Sequence, residues 1–360
     1  MKAAEIRDAK LIIIDEVSMM SSNALTVIDR LVRDVMRVDD IPFGGKCVLI
    51  AGDFRQVLPV VPRGTKVDIL TATIKRNTLW PSFKCFKLTQ NVRASSDVTG
   101  FQSFLMDIGN GSTIDASGLI TIPDHFLLTN QMSLENSVFG GLNSENIEMY
   151  AGRAVLTPRN DDCDMINRRI LTRLDGDVRE YRSIDQVIAE GENARELETT
   201  IATEFIHTLT PSGMPPHTLH LKIGAIVILL RNLNPRTGLC NGTRLLVKEL
   251  HNAFFIAKIL TGSNTGQVVM VPRIKLIGAE TTMPFSISRI QFPVRLAFAM
   301  TINKSQGQTL DKVGLYIPNG IFGHGQLYVA FSRVRCADNI RVLISSKAIQ
   351  TQNIVYQEML

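Results

Sequence analysis

The stretch LIIIDE, Leu11 to Glu16, constrains the fold more than any other. Four successive apolar residues are strand length and too short for a helix, and such a run reads as a buried strand of a parallel sheet. It stops on Asp15 and Glu16, so its carboxyl end delivers two carboxylates to the crevice where open parallel sheets place their ligands. A strand ending in an ordinary solvated turn carries the same letters. The pattern recurs in PFGGKCVLIAGDFRQVLPV, where an apolar run from Cys47 to Ala51 leads into a polar excursion, Gly52 to Gln56, expected to face the same crevice. GGK at Gly44 to Lys46 precedes a strand instead of opening a helix, and is not a phosphate-binding loop.

Between these runs, Leu25, Ile28, Val32, Val35 and Met36 recur at helical spacing, charged residues take the other face, and Ser21 or Ser22 can cap. FKLTQ, Phe86 to Gln90, reads as a third short strand, and Phe101, Phe104, Leu105 and Ile108 mark another amphipathic helix. Residues 109–152, rich in Gly, Ser and Asn, read as irregular connection. RAVLTPRNDDCDMINRRILTRL resumes the strand, cap and helix pattern. From Lys222 to Ile277, short apolar or alternating runs separated by NPRTGLCNG and TGSNTG read as a small inserted β-barrel, after which VRLAFAMTI, KVGLYI and IRVLI return to α/β.

Composition adds exclusions. A chain of 360 residues suggests about two domains. Its five cysteines form no CxxC pair, which argues against a disulfide framework and a zinc ribbon. HTLH at His217 to His220 has no Cys or acidic partner at ligand spacing in the sequence, and is not read as a metal site. No run approaches the roughly 20 apolar residues of a membrane helix, and the early apolar run is too short for a signal peptide. A net charge of +5 and a pI near 9.0 lean toward a polyanionic partner such as nucleic acid.

The motifs DEVSM, GDFRQVLPV, LTQNVRA, RNLNPRTGLCNGTRLLV, FAMTINKSQGQTL and LYVAFSRVR, in that order, resemble the Pif-one family of superfamily-one DNA helicases, relatives of RecD, with phrasing closest to the plant and Helitron-transposon branch. The likeness covers nearly the whole chain. It implies an α/β fold of two RecA-like P-loop NTPase domains with a small inserted β-barrel, divided as 1–90, 91–221, 222–280 and 281–360, and ATP-driven 5′-to-3′ movement on single-stranded and forked DNA. In that reading Asp15 holds Mg²⁺, Glu16 is the general base, and Gln56 senses the γ-phosphate, with Gly52 and Asp53 in the same nucleotide-binding loop. Arg93 and Arg333 take the roles of arginines that reach the γ-phosphate, with Arg335 a rival for the second. Thr301, Lys304, Ser305 and Gln306 belong to a strand-to-helix turn that couples nucleotide to DNA, and Gly307 to its nucleotide side. Arg231, Arg236, Arg244 and Lys248 of the barrel would touch the DNA backbone. Family members serve repair, recombination and telomere maintenance; a nuclear monomer is the expectation by analogy.

One part of the pattern does not occur. No GxxxxGK[ST] stands anywhere in the sequence, and only ten residues precede Leu11, so the first RecA-like domain is expected to be truncated and its lysine and Ser/Thr for ATP and Mg²⁺ to be missing. Besides the helicase motor, one reading stays open, an ATPase-incompetent, nucleic-acid-binding or structural fragment left from a Helitron-type helicase; a non-helicase P-loop ATPase is disfavoured by the barrel signature and KSQGQTL.

Overall fold

The structure, a computed structural model, describes residues 2–93, 100–143, 146–189, 200–278, 283, 285–345 and 348–360. The expected barrel boundary at 280 lies outside the described residues. The chain divides into two compact units, one of residues 1–129, 305–309 and 317–360, the other of residues 130–304 and 310–316. This division differs from the expected boundaries: it groups the last 44 or so residues with the amino-terminal part, because long-range contacts, not motif order, define it.

In the first unit, strands Leu11–Ile14 and Cys47–Ile50 pair in parallel, Leu11 opposite Cys47 through Ile14 opposite Ile50. Helix Ser22–Met36 covers one face, started by Ser21, whose hydroxyl accepts the Ala24 N–H at 3.2 Å, and ended by Arg37 in the left-handed conformation. Buried Val17, Leu25, Val32, Phe43 and Ile74 form the core under Ile12, Ile14, Val48 and Ile50. The expectation of fully buried strands is corrected here: Ile13 is 62% exposed, and Leu11 and Leu49 are exposed beside it, because among the described residues only one face of this strand pair is covered. FKLTQ is no strand either. Phe86 and Leu88 are exposed, and the segment pairs with no strand among the described residues; alternation without a partner does not make a strand.

The carboxyl-terminal part of this unit packs through aromatic rings. Phe331, from helix Gln326–Phe331, meets Phe104 and Phe126 edge-on at 5.3 and 5.5 Å, under the amphipathic helix Phe101–Asn110. Strand Gln350–Gln352 pairs antiparallel with Leu119–Thr121.

The second unit holds parallel strands Ala299–Thr301, Arg153–Thr157 and Lys312–Tyr316, with Arg153–Thr157 in the middle. Helix Asn160–Arg173 follows that central strand, and its buried Asn167 clamps Ala299, accepting its N–H and donating to its carbonyl, each at 2.8 Å. An antiparallel sheet runs in the order Val268–Pro272, Phe254–Ile259, Arg244–Leu250, Ile226–Leu229, Val294–Leu296. The expected barrel region thus forms a five-stranded sheet whose outer strands are not paired to each other among the described residues, and which recruits Val294–Leu296 from beyond the expected boundary. No helix among the described residues is long and apolar enough to cross a membrane.

Candidate active site

The two strand ends of the first unit are stitched together by the backbone. Ala51 N–H donates to the Ile14 carbonyl at 2.9 Å, and Val17 N–H to the Ala51 carbonyl at 3.0 Å. This brings Asp15 and Glu16 beside the loop that starts at Gly52. A Cβ at Gly52 would lie 3.0 Å from Val17 Cγ2 and 3.1 Å from the Ser18 nitrogen, so glycine is what lets the loops approach this closely. Asp15 Oδ1 accepts the N–H of Glu16 at 2.8 Å. Glu16 itself is left-handed, at φ 53° and ψ 38°, a conformation that costs a non-glycine residue about 1–2 kcal/mol and is found where function holds a side chain in place.

A third segment meets this carboxylate. Gln306, from the 305–308 turn, donates from Nε2 to Glu16 Oε2 at 3.0 Å. The same bond turns Oε2 of that carboxylate toward Gln306. Two amide oxygens, Gln56 Oε1 and Gln306 Oε1, are buried without a hydrogen-bond partner among the described residues. Such orphans are rare in folded proteins and mark places where water or a ligand belongs.

Asp53 is bound on all sides. It accepts from the Arg55 backbone at 3.0 Å, from the Arg55 guanidinium at 3.3 Å and from the Tyr328 hydroxyl at 2.8 Å. It therefore shapes the loop in this structure. Burial pushes the Tyr328 phenol up, and neighbouring Asp53 adds to the shift.

The two arginines differ. Arg93 is exposed and, among the described residues, gives one bond, to the Ser332 carbonyl at 3.0 Å. Arg333 is 1% exposed, and its guanidinium donates to the carbonyls of Val329, Ser305 and Gln308 and to the Ser332 hydroxyl. Burial, then the charge of Arg93, lowers its pKa to about 10. Here Arg333 anchors the 305–308 turn, while Arg335 is the exposed one. Gly307, at φ 76°, completes that turn 3.8 Å, measured from an added Cβ, from Glu16 Oε1.

In the second unit, Thr301 and Lys304 line a small cleft with Asn160, Asp164 and Arg295, beside the amino end of helix Asn160–Arg173. Buried Cys163 lies there too, its thiol pushed up by burial. The expectation that Arg244 contacts DNA is corrected: it is fully buried, and donates to the carbonyls of Ala151, Arg153 and Ala297 at 2.6, 2.8 and 3.0 Å. Lys248 pairs with Glu148 at 2.6 Å.

HTLH gains an acidic partner that the sequence spacing hid. His217 Nδ1 lies 3.5 Å from Asp185 Oδ2, and its ring stacks on His207 at 3.6 Å. Both oxygens of Asp185 already accept from buried Arg289, at 2.9 and 2.6 Å, so a cation placed there would face a guanidinium across the carboxylate. Burial works to raise Asp185, but the bonds from Arg289 and Ser183 outweigh it and hold the carboxyl below its ordinary range. Burial, then neighbouring His207, lowers His217.

Residues 1–118 match the family description PIF1-like helicase, and residues 204–250 that of the DNA helicase Pif1 2B domain. The chain is 28% identical to the "ATP-dependent DNA helicase PIF1" of Danio rerio, over 93% of this chain and 46% of that protein. The Rattus norvegicus protein of the same name is 30% identical, over 92% and 46%. The chain thus spans about half the length of the curated relatives it matches. Among solved structures, Bacteroides Pif1 bound to ssDNA superposes with a TM-score of 0.66 at 25% identity, over 100% of this chain and 74% of that one. Bacteroides Pif1 in complex with ADP-AlF3 and ssDNA gives 0.67 at 24%, over 99% and 74%. These matches relate the chain to the PIF1-like helicases and assign it their α/β fold with RecA-like domains.

Proposed function

We propose that this chain is the motor region of an ATP-dependent 5′-to-3′ DNA helicase, with its hydrolysis site at the carboxyl ends of Leu11–Ile14 and Cys47–Ile50. The observation that carries the reading is the meeting of Glu16, strained and hydrogen-bonded to Gln306, with a loop whose Gln56 has a buried amide oxygen and no partner for it among the described residues. Relatives named as ATP-dependent helicases, and a fold shared with a protein described with ADP-AlF3 and ssDNA, support it.

The residues fit a magnesium nucleotide in part. Asp15 has an oxygen left beyond the one that accepts from Glu16 N–H, suited to the water shell of Mg²⁺. When bound, Mg²⁺-ATP supplies a γ-phosphoryl group as electrophile. Glu16 takes the proton of the attacking water, Gln306 keeps that carboxylate turned toward it, and Gln56 accepts from the same water through its amide oxygen. Arg93 is the arginine with donors to spare for phosphate charge; Arg333 holds the turn that carries Gln306.

The proposal includes the absence of a phosphate-gripping loop from these 360 residues. The bare apolar face of Leu11, Ile13 and Leu49 supports that, as a surface of the kind another element covers. It also extends to DNA held by Thr301 and Lys304 with the 305–308 turn, to the RecA-like and barrel division at 90, 221 and 280, to the plant and Helitron-type branch, and to a nuclear monomer. These rest on the motifs alone.

The test is binding of the 360-residue chain to a labelled single-stranded oligonucleotide at several salt concentrations. The helicase reading expects affinity that is weakly dependent on sequence and falls steeply with salt, as backbone recognition does. Absent or salt-insensitive binding refutes it. Binding without any route to ATP turnover favours the remnant reading.

A further inference from the structure

Residues 324–328 touch every residue of the 53–56 loop. Tyr328 donates to Asp53 Oδ2 at 2.8 Å, and His324 Nε2 bonds the Phe54 carbonyl at 2.8 Å. Gly325, at φ 71°, runs so close to Arg55 and Gln56 that a Cβ would sit 2.6 Å from the Gln56 carbonyl carbon. His324 is buried, and its second nitrogen, Nδ1, accepts the Tyr356 N–H at 2.8 Å. An acceptor at Nδ1 requires the proton on Nε2, which then donates to Phe54. One neutral tautomer satisfies both bonds, and the imidazolium satisfies only one.

We propose that His324 is a positioning residue for the loop that carries Gln56: in its neutral form it ties the Phe54 carbonyl to the Tyr356 N–H, and protonation at Nδ1 breaks the Tyr356 half of that tie and lets the loop shift. The Phe54 bond lies two residues from Gln56, on the loop's own backbone, so a ring released from Tyr356 carries with it the amide that the hydrolysis reading needs. The significance of Gln56 rests on that reading; the clasp itself does not. The charged groups facing His324 are Asp53, fixed by Tyr328 and Arg55, and Glu358, paired with Lys66 at 2.8 Å; Lys66 also lies over the Tyr356 ring, and Lys75 over Phe54. Burial holds His324 below the ordinary imidazole range, against the opposing pull of the Phe54 carbonyl and the two carboxylates.

The chain carries its own probe. Its one tryptophan, Trp80, meets Phe54 edge-on at 5.8 Å, so Trp80 emission follows the loop. The experiment titrates Trp80 emission of the purified chain from pH 8 to 4 without nucleotide or DNA, with far-UV circular dichroism recorded alongside. A one-proton change in emission at constant dichroism is expected. His324→Gln, whose amide can donate to Phe54 and accept from Tyr356 without titrating, should abolish the change and keep the high-pH emission. His324→Phe, which makes neither bond, should show no pH transition and should not reach the high-pH emission at any pH. The proposal is overturned by an unchanged emission in the folded wild-type chain, by the same transition in His324→Gln, or by a change that only accompanies unfolding. Because neither ATP nor DNA is present, this result and the DNA-binding test fail independently.

Discussion

Arg244→Met separates a structural arginine from a DNA-contacting one. The methionine keeps most of the buried stem but leaves the carbonyls of Ala151, Arg153 and Ala297 without their donor. Three buried acceptors at about 1–3 kcal/mol each would cost about 6 kcal/mol. Against this stands the relief of a buried cation, whose strain shows in a pKa lowered from 12.5 to about 10, worth about 3 kcal/mol. The net expectation is a loss of about 3 kcal/mol. With a urea dependence of about 1–3 kcal/mol per molar, the midpoint falls by about 1–3 M. The assay is urea unfolding read twice, by far-UV circular dichroism for the whole chain and by Trp80 emission for the first unit, since Arg244 belongs to the second. The dichroism midpoint should drop while the Trp80 midpoint holds. Affinity for single-stranded DNA in the absence of urea, and its salt slope, should not change. A stable variant with weakened binding and a salt slope smaller by about 0.7, one phosphate contact on a single strand, would refute the structural assignment.

Gly325→Ala should destabilise the first unit by about 2 kcal/mol or more, because a Cβ at φ 71° meets the main chain of Arg55 and Gln56; a Trp80 unfolding midpoint equal to wild type would contradict it. Tyr328→Phe removes one bond to a carboxylate and should cost about 1.5–3 kcal/mol in the same readout, with no loss expected for Tyr316→Phe as control. Acidification should weaken the second unit. His217 and Asp185 are both held below their ordinary values, so the native form binds fewer protons than the unfolded chain. Their contribution is complete above about pH 6.5 and is lost as pH falls through the lowered His217 value, then further below about pH 4 through the lowered Asp185 value. Urea midpoints by dichroism that do not fall between pH 8 and 5 would contradict this, and His217→Asn should flatten the upper part of the profile.

What the letters disclosed were features with local causes. The apolar runs stopping at Asp15 and Gly52, the Ser21 cap and the amphipathic spacing of Ser22–Met36 each follow from neighbours in sequence, and each stands in the structure. What escaped depended on partners far along the chain. Arg244 looked like a surface cation because its three partners are backbone carbonyls at 151, 153 and 297, which carry no side-chain signature. His217 met Asp185 and His207 only through the fold. FKLTQ has the alternation of a strand but no ladder partner among the described residues, and alternation alone does not supply one. His324 could not be singled out because both its bonds go to main-chain atoms, at Phe54 and Tyr356. Of the site, Glu16 was legible from its place after the strand; its left-handed backbone and its bond to Gln306 were not.

The most direct measurement of the central claim is ATP turnover, with and without single-stranded DNA, by the 360-residue chain and by the same chain preceded by the strand, phosphate-binding loop and helix of a PIF1-like relative. Positioning and electrostatics do nearly all the work in phosphoryl transfer, so carboxylates without a grip on the phosphates should achieve little. The account predicts no turnover by the chain alone, DNA-stimulated turnover by the extended chain, and loss of that turnover in the extended chain carrying Glu16→Gln. Robust hydrolysis by the 360 residues alone, or turnover in the extended chain that survives Glu16→Gln, would contradict it.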